Sequence, residues 1–335
     1  MKLILTFIFT LILFHFSIPL SSQTFSISEA EYQKRGLKLL ESILQANQFP
    51  SPALDSHLNI AAEKHGNYLS LNQNSDVKID SQMESIEWVH NEREGLPGFI
   101  GKSPQDQALA VGFKPEAGCY VGNTVLPLMK KEHRESPEFL FRGLLDTPFH
   151  RSMVLHPAIQ RIGMKRVSYE NGEYILVFFA EYCLSGKKPA FVHYPVSNEE
   201  QIRLRMPPEL PNPFPQLTYL TYSTAITVQL FFDQNPETEL FWQEAILLDS
   251  KGKSVPISTL SLANPPPDTK PFLKSMKLVA FVANEPFQPN TEYTVKTKVK
   301  NQFGKIVFQK SWKFRTEAED SFFKTFAAQN TEQDE

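Results

Sequence analysis

The 335-residue sequence predicts an α+β protein, a helix-rich first half closing on a β-hairpin and then an all-β second half. Apolar residues recur at helical spacing from Ser28 to Leu71, short β-rich runs fill the chain from Ala225 to Phe314, and proline crowds the stretches Met206 to Pro215 and Asn264 to Pro271. The length suits two domains of ordinary size.

The first residues belong to neither half. Lys2 precedes the apolar run LILTFIFTLILFHF, then Pro19 and the small polar Ser21 and Ser22. That pattern of charge, apolar core and small-residue exit is a secretory signal peptide over residues 1–22, with cleavage near Ser22. A retained membrane anchor is the alternative, because the run approaches spanning length. Either way the protein is expected to be secreted or held at the cell envelope. No later segment has an apolar run long enough to span a bilayer.

Ser28 to Gln48 reads as a helix with Leu37, Leu40, Ile43 and Leu44 as its stripe, stopped by Pro50 and Pro52. A second helix runs from Ala53 to Leu71. Periodicity then disappears until Gly101, where Ser103-Pro104 provides an N-cap and a first-turn proline for a short helix to Val111. Ser136-Pro137-Glu138 repeats that signal for a helix to Asp146, followed by a Thr147-Pro148-Phe149-His150-Arg151 turn. Strands are expected from Arg161 to Tyr169 and from Glu173 to Tyr182, joined at Asn171-Gly172. Further on, Ala225 to Phe232, Ala245 to Leu248, Thr291 to Val299 and Ile306 to Phe314 read as strands of a β-sandwich. These runs place a first domain at 28–190, a linker between Val192 and Met206, a sandwich at 206–316 and a disordered tail at 317–335. A cut after Val192 is then expected to leave a soluble first domain.

A net charge of −3 supplies no basic patch for nucleic acid. Cys119 and Cys183 are compatible with one disulfide in an exported protein, or with two small buried apolar residues. Bridged, they close a loop of ~65 residues, which stabilises the fold by about 4 kcal/mol on loop entropy. Among the histidines, His90 stands at the head of a glycine-rich loop and His150 at a junction between helix and strand, so backbone on both sides can aim each ring at one cleft. His57 and His65 lie too far apart along one helix to ligate together. His65 falls in an apolar stripe and reads as a core residue, and His156 reads as a turn residue able to rim the cleft. The Gly-x-Ser-x-Gly elbow, the His-Glu-x-x-His helix and the phosphate-cradling glycine loop are all missing from the sequence. Phe231, Phe232, Phe241 and Trp242 read as sandwich core, with a carbohydrate-binding face as the alternative.

Three blocks carry a family likeness. They are Leu58 to Gly66 (LNIAAEKHG); His90 with Pro97-Gly98-Phe99-Ile100-Gly101 and Ala110-Val111-Gly112-Phe113; and Thr147 to Gly163. Together they make residues 28–184 resemble the CAP superfamily in its bacterial, SCP-like branch. The resemblance implies an α-β-α sandwich with a central cleft that, in many members, holds two histidines and two acids and binds a divalent metal such as zinc. Matched by position, His90 and His150 are the histidines. The acids match poorly: Tyr120-Val121-Gly122-Asn123-Thr124 stands where the family shows a glutamate, leaving Asp146 and Glu92 as candidates. The second half resembles a bacterial immunoglobulin-like module through Asn284 to Val295 and the closing Gly304, Trp312, Phe314 and Thr316.

Two imidazoles alone fall short of the three or four ligands a stable zinc site uses. The leading expectation is therefore a non-catalytic extracellular protein whose histidine-lined cleft binds a lipid, a glycan or another protein. Its rival is an extracellular metal-assisted hydrolase with His150 as general base and His90, Glu92 or Asp146 organising a metal or water. A third reading has the sandwich tethering the protein at an envelope surface.

Overall fold

The structure is a computed structural model that describes residues 27–72, 89–129, 137–168 and 174–321. The leader at 1–22, the Asn171-Gly172 turn and everything after Ser321 lie outside the described residues.

The first half contains a four-stranded sheet of β1 (Ala53–Leu54), β2 (Cys119–Met129), β3 (Ile159–Ser168) and β4 (Tyr174–Cys183), in the order β1-β3-β4-β2. β2 and β3 run antiparallel to β4, and the short β1 runs parallel to β3. In β4, Leu176, Phe178 and Ala180 join one apolar cluster while Ile175, Val177 and Phe179 join another. A strand that is apolar on both faces has to be covered on both. Helices α1 (Glu29–Ala46) and α4 (Pro137–Asp146) cover the first face, and α2 (Ser56–Asn72) and α3 (Pro104–Ala110) cover the second. The result is three layers around two cores.

Helix starts follow the capping chemistry. The Ser28 hydroxyl accepts from the Glu31 amide at 3.2 Å, and Ser103 and Asp106 form a reciprocal capping box. Asp55 accepts from the amides of His57 and Leu58, so α2 begins at Ser56 and the preceding Ala53–Leu54 is free to pair with β3. The stretch expected as a turn after Asp146 is instead a seven-residue helix, α5 (Pro148–Val154), because a proline in the first turn starts a helix as readily as it makes a turn. Cys119 and Cys183 are bonded to each other across β2 and β4. Helix α2 lies backbone-close to β3: a Cβ on Gly163 would stand 2.1 Å from the carbonyl carbon of Leu58.

The second half is two four-stranded sheets. Its strands are β5 (Ala190–Tyr194), β6 (Glu199–Ile202), β7 (Ile226–Phe231), β8 (Leu240–Leu248), β9 (Ile257–Leu260), β10 (Leu278–Ala283), β11 (Glu292–Asn301) and β12 (Ile306–Thr316). One sheet is ordered β5-β7-β10-β9 and the other β6-β12-β11-β8. Val228, Leu230 and Val279 of the first sheet pack on Leu240 and Val299 of the second, and the Trp242 indole donates across to the Ala280 carbonyl at 3.0 Å. A helix, α6 (Lys270–Met276), follows the second proline-rich stretch and precedes β10.

Two sequence-based boundaries differ from the structure. The stretch Val192 to Met206, expected as a linker, contains part of β5 and all of β6, each the edge strand of one sheet. The disordered tail does not begin at Glu317: its amide donates to the Ile202 carbonyl at 2.9 Å, its carboxylate accepts from the Leu204 amide, and Asp320 pairs with Arg205.

The two halves are not separable bodies. Ile202, Leu204, Ile226, Phe281 and Phe314 belong to the same apolar cluster as Tyr32, Leu40, Phe141 and Phe178. Buried charges cross the same boundary. Asp146 at the end of α4 meets Arg203 at 3.1 Å, in an ion pair set off the hydrogen-bond axis, and both side chains are almost wholly buried. Arg142 pairs with Glu199 at 3.3 Å, while Arg151 donates to the Thr227 hydroxyl and lies 4.2 Å over the Tyr194 ring. Removing one partner of such a pair strands a charge out of water, at a cost of about 3–5 kcal/mol.

Two outcomes follow for stability. Gly163→Ala is expected to lower the unfolding free energy by more than about 3 kcal/mol, read from urea midpoints, because backbone stands where the methyl would go. A chain cut after Val192 is expected to be insoluble or molten by circular dichroism, since it exposes shared core and removes Glu199, Arg203 and Thr227, the partners of Arg142, Asp146 and Arg151 from the second half. A cooperative, soluble fragment would refute the shared core.

Candidate functional site

His90 and His150 line one cavity of about 310 Å³. His90 ends a helical stretch just before the loop that runs to Gly101, and His150 sits in the first turn of α5. Asn123 and Thr124 of β2 share the polar wall with them. The rest of the lining includes Phe149 and Met153 of α5 together with Leu210, Phe272 and Met276 from the second half. The cavity is therefore closed by both halves of the chain.

Each imidazole is fixed through Nδ1. His90 Nδ1 lies 2.7 Å from Asn123 Oδ1, and the same amide donates to the His90 carbonyl at 3.0 Å. Since the amide oxygen only accepts, Nδ1 carries the hydrogen and Nε2 is left with its lone pair. Burial pushes His90 down to about 4, the Asn123 hydrogen bond offsets part of that, and the nearby His150 and His65 depress it further. His90 is neutral at ordinary pH.

His150 is held by a residue that spacing did not single out. Its Nδ1 lies 2.7 Å from Oε1 of Glu209, whose side chain is fully buried. The same carboxylate accepts from the backbone amides of Phe149 and His150 at 3.0 and 2.9 Å. Thr147, the N-cap of α5, makes no side-chain cap bond, so Glu209 caps this helix from elsewhere in the chain. An acid that fixes the Nδ1 hydrogen of a histidine orients the ring and leaves Nε2 with its lone pair.

The two expected acids lie elsewhere. Glu92 accepts from the amides of Ile100 and Gly101 at 2.7 and 3.3 Å, and its other oxygen meets His65 Nδ1 at 3.1 Å, with both side chains wholly buried. His65 Nε2 reaches the Val89 carbonyl at 2.9 Å. This pair folds the loop that carries His90 but does not line the cavity. Asp146 faces Arg203 at the junction of the halves, where burial, opposed by Arg203, Arg142 and Arg151, pushes it up to about 6. His156, expected at the rim of the same cleft, lines a neighbouring groove.

A divalent metal does not fit this donor set. The cavity offers two imidazole nitrogens, and the acid nearest His150 is already engaged by its Nδ1 and by two helix amides. Among the described residues, the one group of three potential donors within joint reach is Glu116 with Cys119 and Cys183, whose sulfurs are bonded to each other. Zinc held by protein wants three or four ligands.

Asn123 was legible as the position where the family glutamate is missing, and it turns out to be the anchor of His90. No signal in the sequence linked Glu209 to His150.

Comparison with known proteins adds little. No family model matches the chain, and no curated protein matches it. Among solved structures, an outer surface protein from Borrelia burgdorferi is similar over 47% of this chain and 96% of that one, at 13% identity and a TM-score of 0.32. An extracellular protein containing an SCP domain from Bacillus anthracis is similar over 46% of this chain and 44% of that one, at 13% identity and a TM-score of 0.30. At these scores neither likeness decides family or activity. Among the described residues no helix is long and apolar enough to cross a membrane.

Glu209→Ala leaves two helix amides without their acceptor and leaves His150 Nδ1 only the Thr147 hydroxyl at 3.1 Å, so a loss of about 3 kcal/mol in urea unfolding is expected. Glu209→Gln keeps an acceptor oxygen and is expected to lose about 1 kcal/mol. Equal losses for the two variants would remove Glu209 from the helix-capping role.

Proposed function

We propose that this chain is an exported CAP-superfamily protein with an immunoglobulin-like second module, and that it binds a small apolar ligand without turning it over. The ligand bears one hydrogen-bond donor, such as a hydroxyl. One observation carries the reading: both imidazoles are anchored through Nδ1, which leaves Nε2 as the nitrogen free to meet a ligand, in a cavity whose other lining side chains, Asn123 and Thr124 apart, are apolar. A neutral His90 accepts a hydrogen bond at Nε2 and has none to give, so the group it meets has to donate. A volume near 310 Å³ stands at the small end of ligand sites, which favours a ligand of modest size or one end of a longer molecule. The leader expected from the sequence at residues 1–22 supports export.

A second reading rests on His150 and Glu209. A histidine whose Nδ1 hydrogen is held by a buried carboxylate is also the arrangement of a general base, here able to activate water. Since no serine or cysteine lines the cavity, water would be the nucleophile in this reading.

The test is calorimetric titration of the full chain with 1-octanol, alongside turnover of p-nitrophenyl octanoate. Saturable heat is expected, weakened at least tenfold in both His90→Ala and His150→Ala. Binding should hold from pH 8 to 5 and disappear as pH falls through about 4, where His90 gains the proton that removes its acceptor. Absent heat, or heat unchanged in both variants, would sink the binding reading. Ester turnover lost in His150→Ala would establish the second one.

A further inference from the structure

A larger groove of about 760 Å³ lies beside the histidine cavity, between α5 and β2 of the first half and the β7–α6 side of the second. Met153 and Met276 line both spaces. We infer that this groove is a binding site for an uncharged oligosaccharide bearing acetamido groups, separate from the histidine cavity.

The first support is Tyr120. Its ring is 41% exposed, while one of its faces is stacked on the fully buried Tyr182 at 5.1 Å with the planes 21° apart. The ring is thus supported by Tyr182 and also lines the groove. A fixed aromatic face with a polar tip is a platform for the C–H face of a sugar ring, at little cost in side-chain entropy.

His156 is the second. Its Nδ1 accepts from the Ala158 amide at 3.1 Å, which places the ring hydrogen on Nε2. Tyr182, Phe231 and Phe232 set their rings edge-on to it at 4.5–5.7 Å, and among the described residues Nε2 has no hydrogen-bond partner. Burial pushes this histidine down to about 4, so it stays neutral and donates. A half-buried donor beside three aromatic rings matches an acetamido carbonyl, whose methyl group would lie against the phenyl rings.

Charge and backbone narrow the class. Lys277 is paired with Asp233 at 3.1 Å and with two backbone carbonyls, and Lys274 with Glu237 at 3.3 Å, so an anionic ligand would have to break existing pairs. An extended peptide binds best along a free strand edge, but β7 is hydrogen-bonded on both sides, to β5 and to β10.

Titration of the full chain with chitotetraose, using cellotetraose as the comparator without acetamido groups, tests this. Saturable heat is expected for chitotetraose, with cellotetraose at least tenfold weaker. Tyr120→Ala, its fold verified by circular dichroism, should abolish binding, while Tyr120→Phe retains it. His156→Phe keeps the packing and should erase the preference between the two sugars. His150→Ala should bind chitotetraose like the wild type, so this inference can fail while the octanol site stands, or the reverse. No saturable heat, unchanged binding in Tyr120→Ala, or loss of binding in His150→Ala would each overturn the proposal.

Discussion

The site depends on one buried carboxylate. Glu209 is out of water, and the donors that offset its desolvation are the first amides of α5 and the Nδ1 hydrogen of His150. Those donors need it equally, because Thr147 leaves the helix start without a side-chain cap. Neither part is stable in its final place without the other. The carboxylate comes from the segment leading into the second half, and α5 from the first, so the cavity forms only when the halves are joined.

The ion pairs around Asp146 set the position of that segment. Arg203 is bound to Asp146, and Arg205 donates to the Leu220 carbonyl and pairs with Asp320. The backbone is thereby pinned on both sides shortly before Glu209. Buried ion pairs rarely add much net stability over an apolar contact of the same shape, but they tolerate very little misregister. What they supply here is position: the strand edge and the capping acid arrive together at the end of α4. That explains why Asp146, whose place beside a histidine helix suggested a cleft acid, has its carboxylate turned to an arginine from the second half.

Local chemistry made part of this legible. Ser28 and the Ser103–Asp106 pair announce their helices because caps are chemistry within a few residues. β3 and β4 were readable from their apolar runs. β2 was not, since Gly122, Asn123 and Pro127 are residues that strands avoid, and its pairing is secured by β4 and the disulfide instead. The edge strands β5 and β6 escaped because four or five residues beside a proline-rich stretch carry no periodicity. At the site, His90 and His150 were found through motif likeness. Glu92 was misassigned because neighbourhood in sequence says nothing about direction: two residues past His90, its side chain turns inward to His65. Glu209 was beyond reach, because its contact spans both halves and its neighbours, prolines and a leucine, look like a spacer.

A dication would be poorly served in this cavity. With two imidazole nitrogens and mostly apolar walls, most of its lost hydration would go uncompensated, whereas a hydroxyl needs only one acceptor at His90 and little else. The same walls connect the cavity to the groove. Met153 and Met276 face both spaces, and unbranched thioether side chains change rotamer more easily than any other large apolar residue. The two spaces therefore share a methionine wall but differ in the polar group each presents, His90 in the cavity and His156 in the groove, and the elements around them are α5 capped by Glu209 and β2 paired to β4.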